Sequence, residues 1–163
     1  MLVILAYLGS VVAANLLTAI FGKIGSIVTA FALIGATITL RDRLHDRWEG
    51  RGLTWRLGAL ILTGGVLSWL VNRDAAVIAM ASMTAFVASE TTDTIVYQLL
   101  RHLPWLRRVN GSNLASSAVD SLVFPTLAFG GFDAVQTTAE FVAKVLGGAA
   151  WAVGMLWWKK ARV

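Results

Sequence analysis

The chain is predicted to be an all-α, polytopic membrane protein: a single domain over residues 1–163, with six transmembrane helices and both termini in the cytoplasm. Three observations carry this. Hydrophobic side chains make up 57% of the 163 residues and charged ones only 14%, far from the composition of an ordinary soluble domain. The apolar residues gather in runs of roughly 17 to 25, the length at which a helix rising about 1.5 Å per residue crosses hydrocarbon. Lys and Arg fall almost entirely on one side of these runs, as cytoplasmic loops require.

The runs cover 2–21, 24–40, 55–71, 75–100, 114–132 and 134–158. The first has no basic stretch before it and passes through Gly22 and Lys23 straight into the second, which favours a spanning helix over a cleaved signal sequence. The connector "RDRLHDRWEGRGLTWR" interleaves acids and bases and reads as a short amphipathic helix or a structured loop at the lipid headgroups. First and second, third and fourth, and fifth and sixth runs are joined by only a few residues each and form tight antiparallel hairpins. In "RHLPWLRRVNGSN", between the fourth and fifth, Pro104 interrupts the helix and Arg107 and Arg108 suit anionic lipid. Pro125 removes a backbone donor within the fifth run and is expected to bend it. The sixth pairs small residues four apart, Ala143 with Gly147, Gly148 with Ala152 and Ala150 with Gly154. Such pairs let helix backbones approach closely, within the chain or between copies in a homo-oligomer.

The basic residues test this count of helices. Arg41, Arg43, Arg47, Arg51 and Arg56 follow the second run, Arg101, Arg107 and Arg108 the fourth, and Lys159, Lys160 and Arg162 the sixth, eleven in all. Only Lys23 and Arg73 fall on the other side, and Lys144 lies within the sixth run. Trp48, Trp55, Trp105, Trp157 and Trp158 cluster on the arginine-rich side, where amphipathic rings favour the headgroup layer. The net charge of +5 is therefore read as an attachment to the lipid bilayer and not to nucleic acid. With no cysteine in the chain, disulfides and thiolate metal sites are excluded.

Glu90, Asp93, Asp120, Glu140 and Lys144 fall inside the predicted spans, and each costs on the order of a few kcal/mol at the bilayer centre. They must face protein or water. Two related segments hold the first three: in "ASETTDTIVY" and "ASSAVDSLVF", Asp120 takes the place of Asp93 and Phe124 that of Tyr97. The two stretches run antiparallel and set both aspartates at a similar depth, as in an inverted-repeat transporter. A carboxylate one turn from a flat ring suits a planar, donor-rich heterocycle, because the acid accepts paired N–H donors while the ring stacks on its face. Glu140 and Lys144, four apart, also read as an intrahelical ion pair. Asn15 adds an uncharged donor and acceptor at mid-depth, and also suits a helix-to-helix hydrogen bond. Enzyme signatures are missing: there is no His-Glu-x-x-His, no Gly-x-Ser-x-Gly and no P-loop. Both histidines, His45 and His102, lie in cytoplasmic connectors. No cofactor or metal is expected.

"AANLLTAIFGKIGSIVTAFALIGATITLRDRLHDRWEGRG", "ASETTDTIVYQLLR", "SNLASSAVDSLVFPTLAFGG" and a last helix with an embedded lysine resemble the queuosine-precursor transporter family, also called the vitamin uptake transporter (VUT) family. The resemblance implies a six-helix, multi-pass protein of the bacterial inner membrane. It implies import of 7-cyano- or 7-aminomethyl-7-deazaguanine, precursors of the tRNA base queuosine. Carried over to this chain, it points to Asn15, Asp42, Glu90, Asp93, Ser116, Asp120 and Lys144, to which the residue pattern adds Tyr97 and Phe124. The solute site is expected between the fourth, fifth and sixth helices. The alternative function is a substrate-binding subunit of an energy-coupling-factor transporter, with Ala6, Ser10 and Ala14 as a docking stripe for ATPase partners.

Overall fold

The computed structural model describes residues 2–37, 40, 44, 48 and 52–160, and all regular secondary structure among them is helical. We label the elements α1 (Leu2–Thr29), a π-helical turn (Ala30–Ile34), α2 (Leu53–Val71), α3 (Ala76–Leu99), α4 (Trp105–Ala128) and α5 (Ala134–Lys160). Short 3₁₀ turns at Arg73–Ala75 and Leu100–His102 join α2 to α3 and α3 to α4. Arg41, Asp42, Arg43, His45, Asp46, Arg47, Glu49, Gly50 and Arg51 lie outside the described residues, as does Arg162.

The range of α1 holds two arms. Gly22 takes φ 59° and ψ −140°, a conformation that only glycine adopts without strain. The hydroxyls of Thr18 and Thr29 then meet at 3.3 Å, where a straight helix would hold residues eleven apart at roughly 16 Å. The chain has folded back on itself. A Cβ at Gly25 would meet the Leu17 carbonyl oxygen at 2.8 Å, so the arms touch backbone to backbone near the turn. The first arm runs roughly 30 Å, enough to cross hydrocarbon unaided.

Side-chain pairs give the directions of the remaining helices. Val11 packs on Gly64, and Asn15 Nδ2 donates to Ser68 Oγ at 3.2 Å, so the first arm and α2 run parallel. Ser26 meets Glu140, and Phe31 and Gly35 meet Gly147, so the second arm and α5 also run parallel. Lys23 pairs with Asp133 at 2.7 Å, which brings the Gly22 turn and the α4–α5 turn to one end. At the other end Leu40, Leu44 and Trp48, each helical and spaced by four, gather on Tyr7, Val11, Leu57 and Ile61. That spacing is the one an amphipathic connector uses to cover a core. Arg56 stacks its guanidinium against both Trp48 and Trp55, 5.6 and 5.4 Å from the ring centres.

The start of the fifth predicted run needs correction. The helix begins at Trp105 and not near residue 114, so most of "RHLPWLRRVNGSN" is helical. Leu103 is held extended before the proline, and Pro104, unable to continue a helix behind it, starts one immediately ahead. Ser112 is 2% exposed and Gly111 lies against Leu100, where a Cβ would sit 2.7 Å from Leu100 Cδ1. Packing against α3 thus recruits a stretch whose composition reads as a loop. Pro125 lies in the last turn of α4, three residues from its end.

Two helical stretches, Leu2–Thr37 and Arg73–His102, are long and apolar enough to cross a membrane, and Trp55–Val71 is apolar but shorter. The first of these is the Gly22 hairpin. Large apolar side chains such as Leu62, Val66, Met80, Val87, Leu122 and Leu146 are exposed, while Thr18, Ser26, Ser68, Ser121, Glu140 and Lys144 are buried. That inversion is the signature of a surface solvated by hydrocarbon.

The second arm and α5 approach closely enough to exclude any side chain. A Cβ on Gly35 would fall 2.5 Å from the Gly147 carbonyl carbon, and one on Gly147 would collide with the Phe31 carbonyl oxygen. At this point the small-residue stripe of α5 serves packing within the chain. Gly147→Leu is expected to destabilise the protein by roughly 1–3 kcal/mol through overpacking, read as a lowered thermal midpoint in detergent. Gly148→Ala, with nothing within 4 Å, should be neutral or slightly stabilising.

Candidate functional site

A cavity of about 120 Å³ opens between the helices, and every one of α1 to α5 contributes to its wall. Its polar lining includes Asn15, Thr18, Ser26 and Thr29 from α1, Ser82 and Ser89 from α3, Ser116, Ser117 and Asp120 from α4, and Glu140 and Lys144 from α5. Phe86 and Phe124 provide aromatic surface, and Tyr7 a phenol. Within otherwise apolar stretches of α4 and α5, Ser116, Ser117, Asp120, Glu140 and Lys144 are turned towards this space.

Lys144 organises the charges. It is 3% exposed, and its ammonium lies 2.8 Å from Asp120 Oδ2, 3.1 Å from Glu140 Oε2 and 3.1 Å from Ser121 Oγ. All three of its donors have an acceptor, which is the condition for holding an ammonium away from water. Glu140, 1% exposed, accepts at Oε1 from Ser26 Oγ at 2.7 Å and Gln136 Nε2 at 3.0 Å. The intrahelical pair read from the sequence is present, and Asp120 extends it to α4. Phe124 closes the same corner, with its ring centre 5.9 Å from the ammonium and its edge against Phe129.

Irregular backbone borders the cavity on the α1 side. Ala30 and Ile34, the two ends of the π-helical turn, both line it, and π-turns inside helices recur at functional sites. The loosened carbonyl of Ala32 accepts from Trp151 Nε1 at 2.8 Å, so α5 holds the turn in place.

The site residues predicted from sequence divide into two groups. Asn15, Ser116, Asp120, Phe124 and Lys144 share the cavity wall; Glu90, Asp93 and Tyr97 do not line it. Asp42 lies outside the described residues. From the Leu100–Gly111 contact, Asp93 stands roughly 10 Å along α3 and Asp120 roughly 14 Å along α4, so the two remain close in height. They differ in direction: Asp120 faces the cavity, whereas Asp93 Oδ1 is buried without a hydrogen-bond partner among the described residues. Tyr97 lies beneath the Arg108 guanidinium, 4.2 Å from its ring centre, a geometry suited to cation–π attraction.

Sequence reasoning missed Ser26, Thr18, Thr29 and Gln136, and weighed Glu140 only as a partner for Lys144. One signal was available for Gln136. Gln136, Glu140 and Lys144 are spaced by four and form a polar line along one face of α5. Nothing in the sequence of the first hairpin marked Ser26, which is brought in by the reversal at Gly22.

A family model described as "Putative vitamin uptake transporter" matches residues 60–158, a stretch that takes in α3, α4 and most of α5 and with them Asp120, Glu140 and Lys144. The chain belongs to that family. No curated protein and no solved structure matches it. As a member of a transporter family with lipid-facing apolar helices, it is a membrane protein. The family match begins after the first hairpin, yet that hairpin supplies Asn15, Thr18, Ser26 and Thr29 to this transporter's cavity.

An exposed ion pair joins the Gly22 turn to the start of α5. Asp133 caps α5 by accepting the backbone N–H groups of Val135 and Gln136, and its other oxygen pairs with Lys23. The Lys23 hydrogen bond, followed by the Gln136 N–H, holds the Asp133 carboxyl below its ordinary value of 3.8. A depressed carboxyl stabilises the fold above its unfolded value and ceases to do so as pH falls through the folded one. Asp133→Asn should therefore lower the thermal midpoint at neutral pH, with the difference from wild type closing as pH drops below 3.8. Lys144→Met, which strands two carboxylates, should cost about 3–5 kcal/mol. Chemical unfolding in detergent would measure it, and adding Glu140→Gln should recover part of the loss.

Proposed function

We propose that this protein imports a queuosine precursor, 7-cyano- or 7-aminomethyl-7-deazaguanine, across the bacterial inner membrane. Six spans, with both termini in the cytoplasm, alternate access to the cavity. The observation that carries this reading is the meeting of Asp120 and Phe124, one turn apart on α4, on a single cavity wall that also holds Phe86. A deazaguanine edge presents a ring N–H beside an amino group, and one carboxylate accepts both while an aromatic face covers the ring. Asn15, Ser116 and Ser89 offer uncharged partners for the remaining polar atoms of the solute. Lys144 holds Asp120 in place by one of the acceptor sites of Oδ2, which leaves Oδ1 and the second site of Oδ2 for the paired donors of the solute. Tyr97, outside the lining, supports α3 against α4 through the Arg108 guanidinium, and Glu90 and Asp93 take no part in this contact with the solute.

The test is uptake of either precursor by cells unable to make it, read as queuosine in tRNA. Cells carrying this protein should gain queuosine, and Asp120→Asn should lose at least about tenfold, the value of one charge-assisted hydrogen bond. Tyr97→Phe should stay within about twofold of wild type on the same basis, having no place in the cavity. Absence of queuosine despite correct insertion would sink the proposal. Uptake by the purified protein in liposomes would separate a self-sufficient carrier from a subunit that depends on ATPase partners.

A further inference from the structure

Hydrogen-bond acceptors and donors are unequally left over on the cavity wall. A hydroxyl has one hydrogen and two lone pairs, and two buried serines of the wall have already given that hydrogen to their own helices. Ser89 Oγ donates to the Phe86 carbonyl at 3.0 Å, and Ser116 Oγ to the Asn113 carbonyl at 3.1 Å. Both side chains are buried, at 7% and 4% exposure, and both line the cavity. What they present to a solute is lone pairs.

Asn15 is turned the same way. Its Nδ2 meets Ser68 Oγ at 3.2 Å, and Ser68 Oγ donates to the Gly64 carbonyl at 2.7 Å. Ser68 is fully buried and has no second hydrogen, so it can only accept from Asn15. That fixes the amide with its nitrogen towards α2. Asn15 Oδ1, which accepts no hydrogen bond among the described residues, is left to the cavity that Asn15 lines. Lys144 shows what an ammonium needs in this interior: three oxygen acceptors, all within 3.1 Å. Asn15, Ser89 and Ser116 offer three more.

We infer that Asn15, Ser89 and Ser116 form an acceptor subsite for a protonated amine, through which the cavity selects the 7-aminomethyl precursor over the 7-cyano one. This rests on the solute class proposed above and narrows it, leaving Asp120 to the ring edge. The aliphatic amine of the 7-aminomethyl compound is a cation at neutral pH and brings three N–H donors to oxygens that lack them; such charge-assisted bonds are the strong ones. A nitrile brings one acceptor and no donor, and buried against lone pairs it loses the water it was bonded to without a replacement. The hydroxyls of Ser82 and Ser117, on the same wall, suit the carbonyl oxygen and ring nitrogen that both precursors carry, and do not distinguish them. Ser68 touches no solute in this arrangement; it is a positioning residue that keeps Asn15 Oδ1 turned inward.

Calorimetric binding of three probes to the purified full-length protein tests it: 7-aminomethyl-7-deazaguanine, 7-cyano-7-deazaguanine and unsubstituted 7-deazaguanine. The amine should bind at least about tenfold more tightly than the unsubstituted compound, the value of one hydrogen bond to a charged group, and the nitrile no more tightly than the unsubstituted compound. Asn15→Ala should cut the ratio of amine to unsubstituted affinity about fivefold, as the loss of one hydrogen bond would. Ser68→Ala, which keeps Asn15 but frees its amide to turn, should lower that ratio by about threefold on the same basis, whereas Tyr97→Phe should leave it unchanged. A purely structural role for Asn15 or Ser68 would weaken all three probes alike and leave the ratio where it was, which overturns the subsite. So does a wild-type protein that binds the nitrile as tightly as the amine, a result that leaves the deazapurine reading standing. If none of the three binds, that reading falls and the subsite with it.

Discussion

The ammonium of Lys144, held between Asp120 and Glu140, is the interaction on which the arrangement depends. It joins α4 to α5, and through Glu140 it reaches Ser26 of the first hairpin, so three parts of the chain far apart in sequence meet at one buried charge cluster. In lipid no hydrophobic force draws these helices together, because acyl chains are as apolar as leucine. A buried network in which every donor finds an acceptor supplies direction instead, and it also keeps a polar cavity open where close packing would otherwise fill the space.

Around that cluster the helices are held by contact of backbone with backbone. Gly25 against Leu17 and Gly147 against Phe31 and Gly35 are positions at which no larger side chain fits, and Gly64 takes the Val11 side chain against its own backbone. The buried hydrophobic residues are correspondingly small, with alanine recurring at positions 14, 30, 36, 75, 79, 81, 85 and 143. Large side chains are left for the lipid-facing surface. Close approach strengthens dispersion attraction between helices, and it places the π-helical turn of the second arm directly on α5. The cavity wall therefore owes its shape to glycines as much as to the polar residues that line it.

Much of this was legible in the chain. Apolar run lengths marked out helical segments that the structure contains, and the excess of acids inside them pointed to a polar interior. The resemblance to the VUT family agrees with the family match. Within the site, Asn15, Ser116, Asp120, Phe124 and Lys144 were singled out from sequence and share one cavity. The antiparallel similarity of α3 and α4 put Asp93 and Asp120 at nearly one height, but it could not say which way each points. The start of α4 was obscured because "WLRRVNGSN" is polar by composition and becomes helical by packing on α3.

By itself, then, the sequence determined the helical class, the lipid-facing character and the chemical types present in the interior. These follow from periodicity, run length and the cost of charge in hydrocarbon, all of them local properties. Only the tertiary structure decided that Glu140 and Lys144 would be joined by Asp120, that Ser26 and Gln136 would satisfy Glu140, and that Glu90, Asp93 and Tyr97 would fall outside the cavity wall. Those outcomes depend on the rotation of each helix about its axis and on the reversal at Gly22. Both are set by contacts between residues as many as 119 positions apart, a distance over which no pattern in the chain carries a signal.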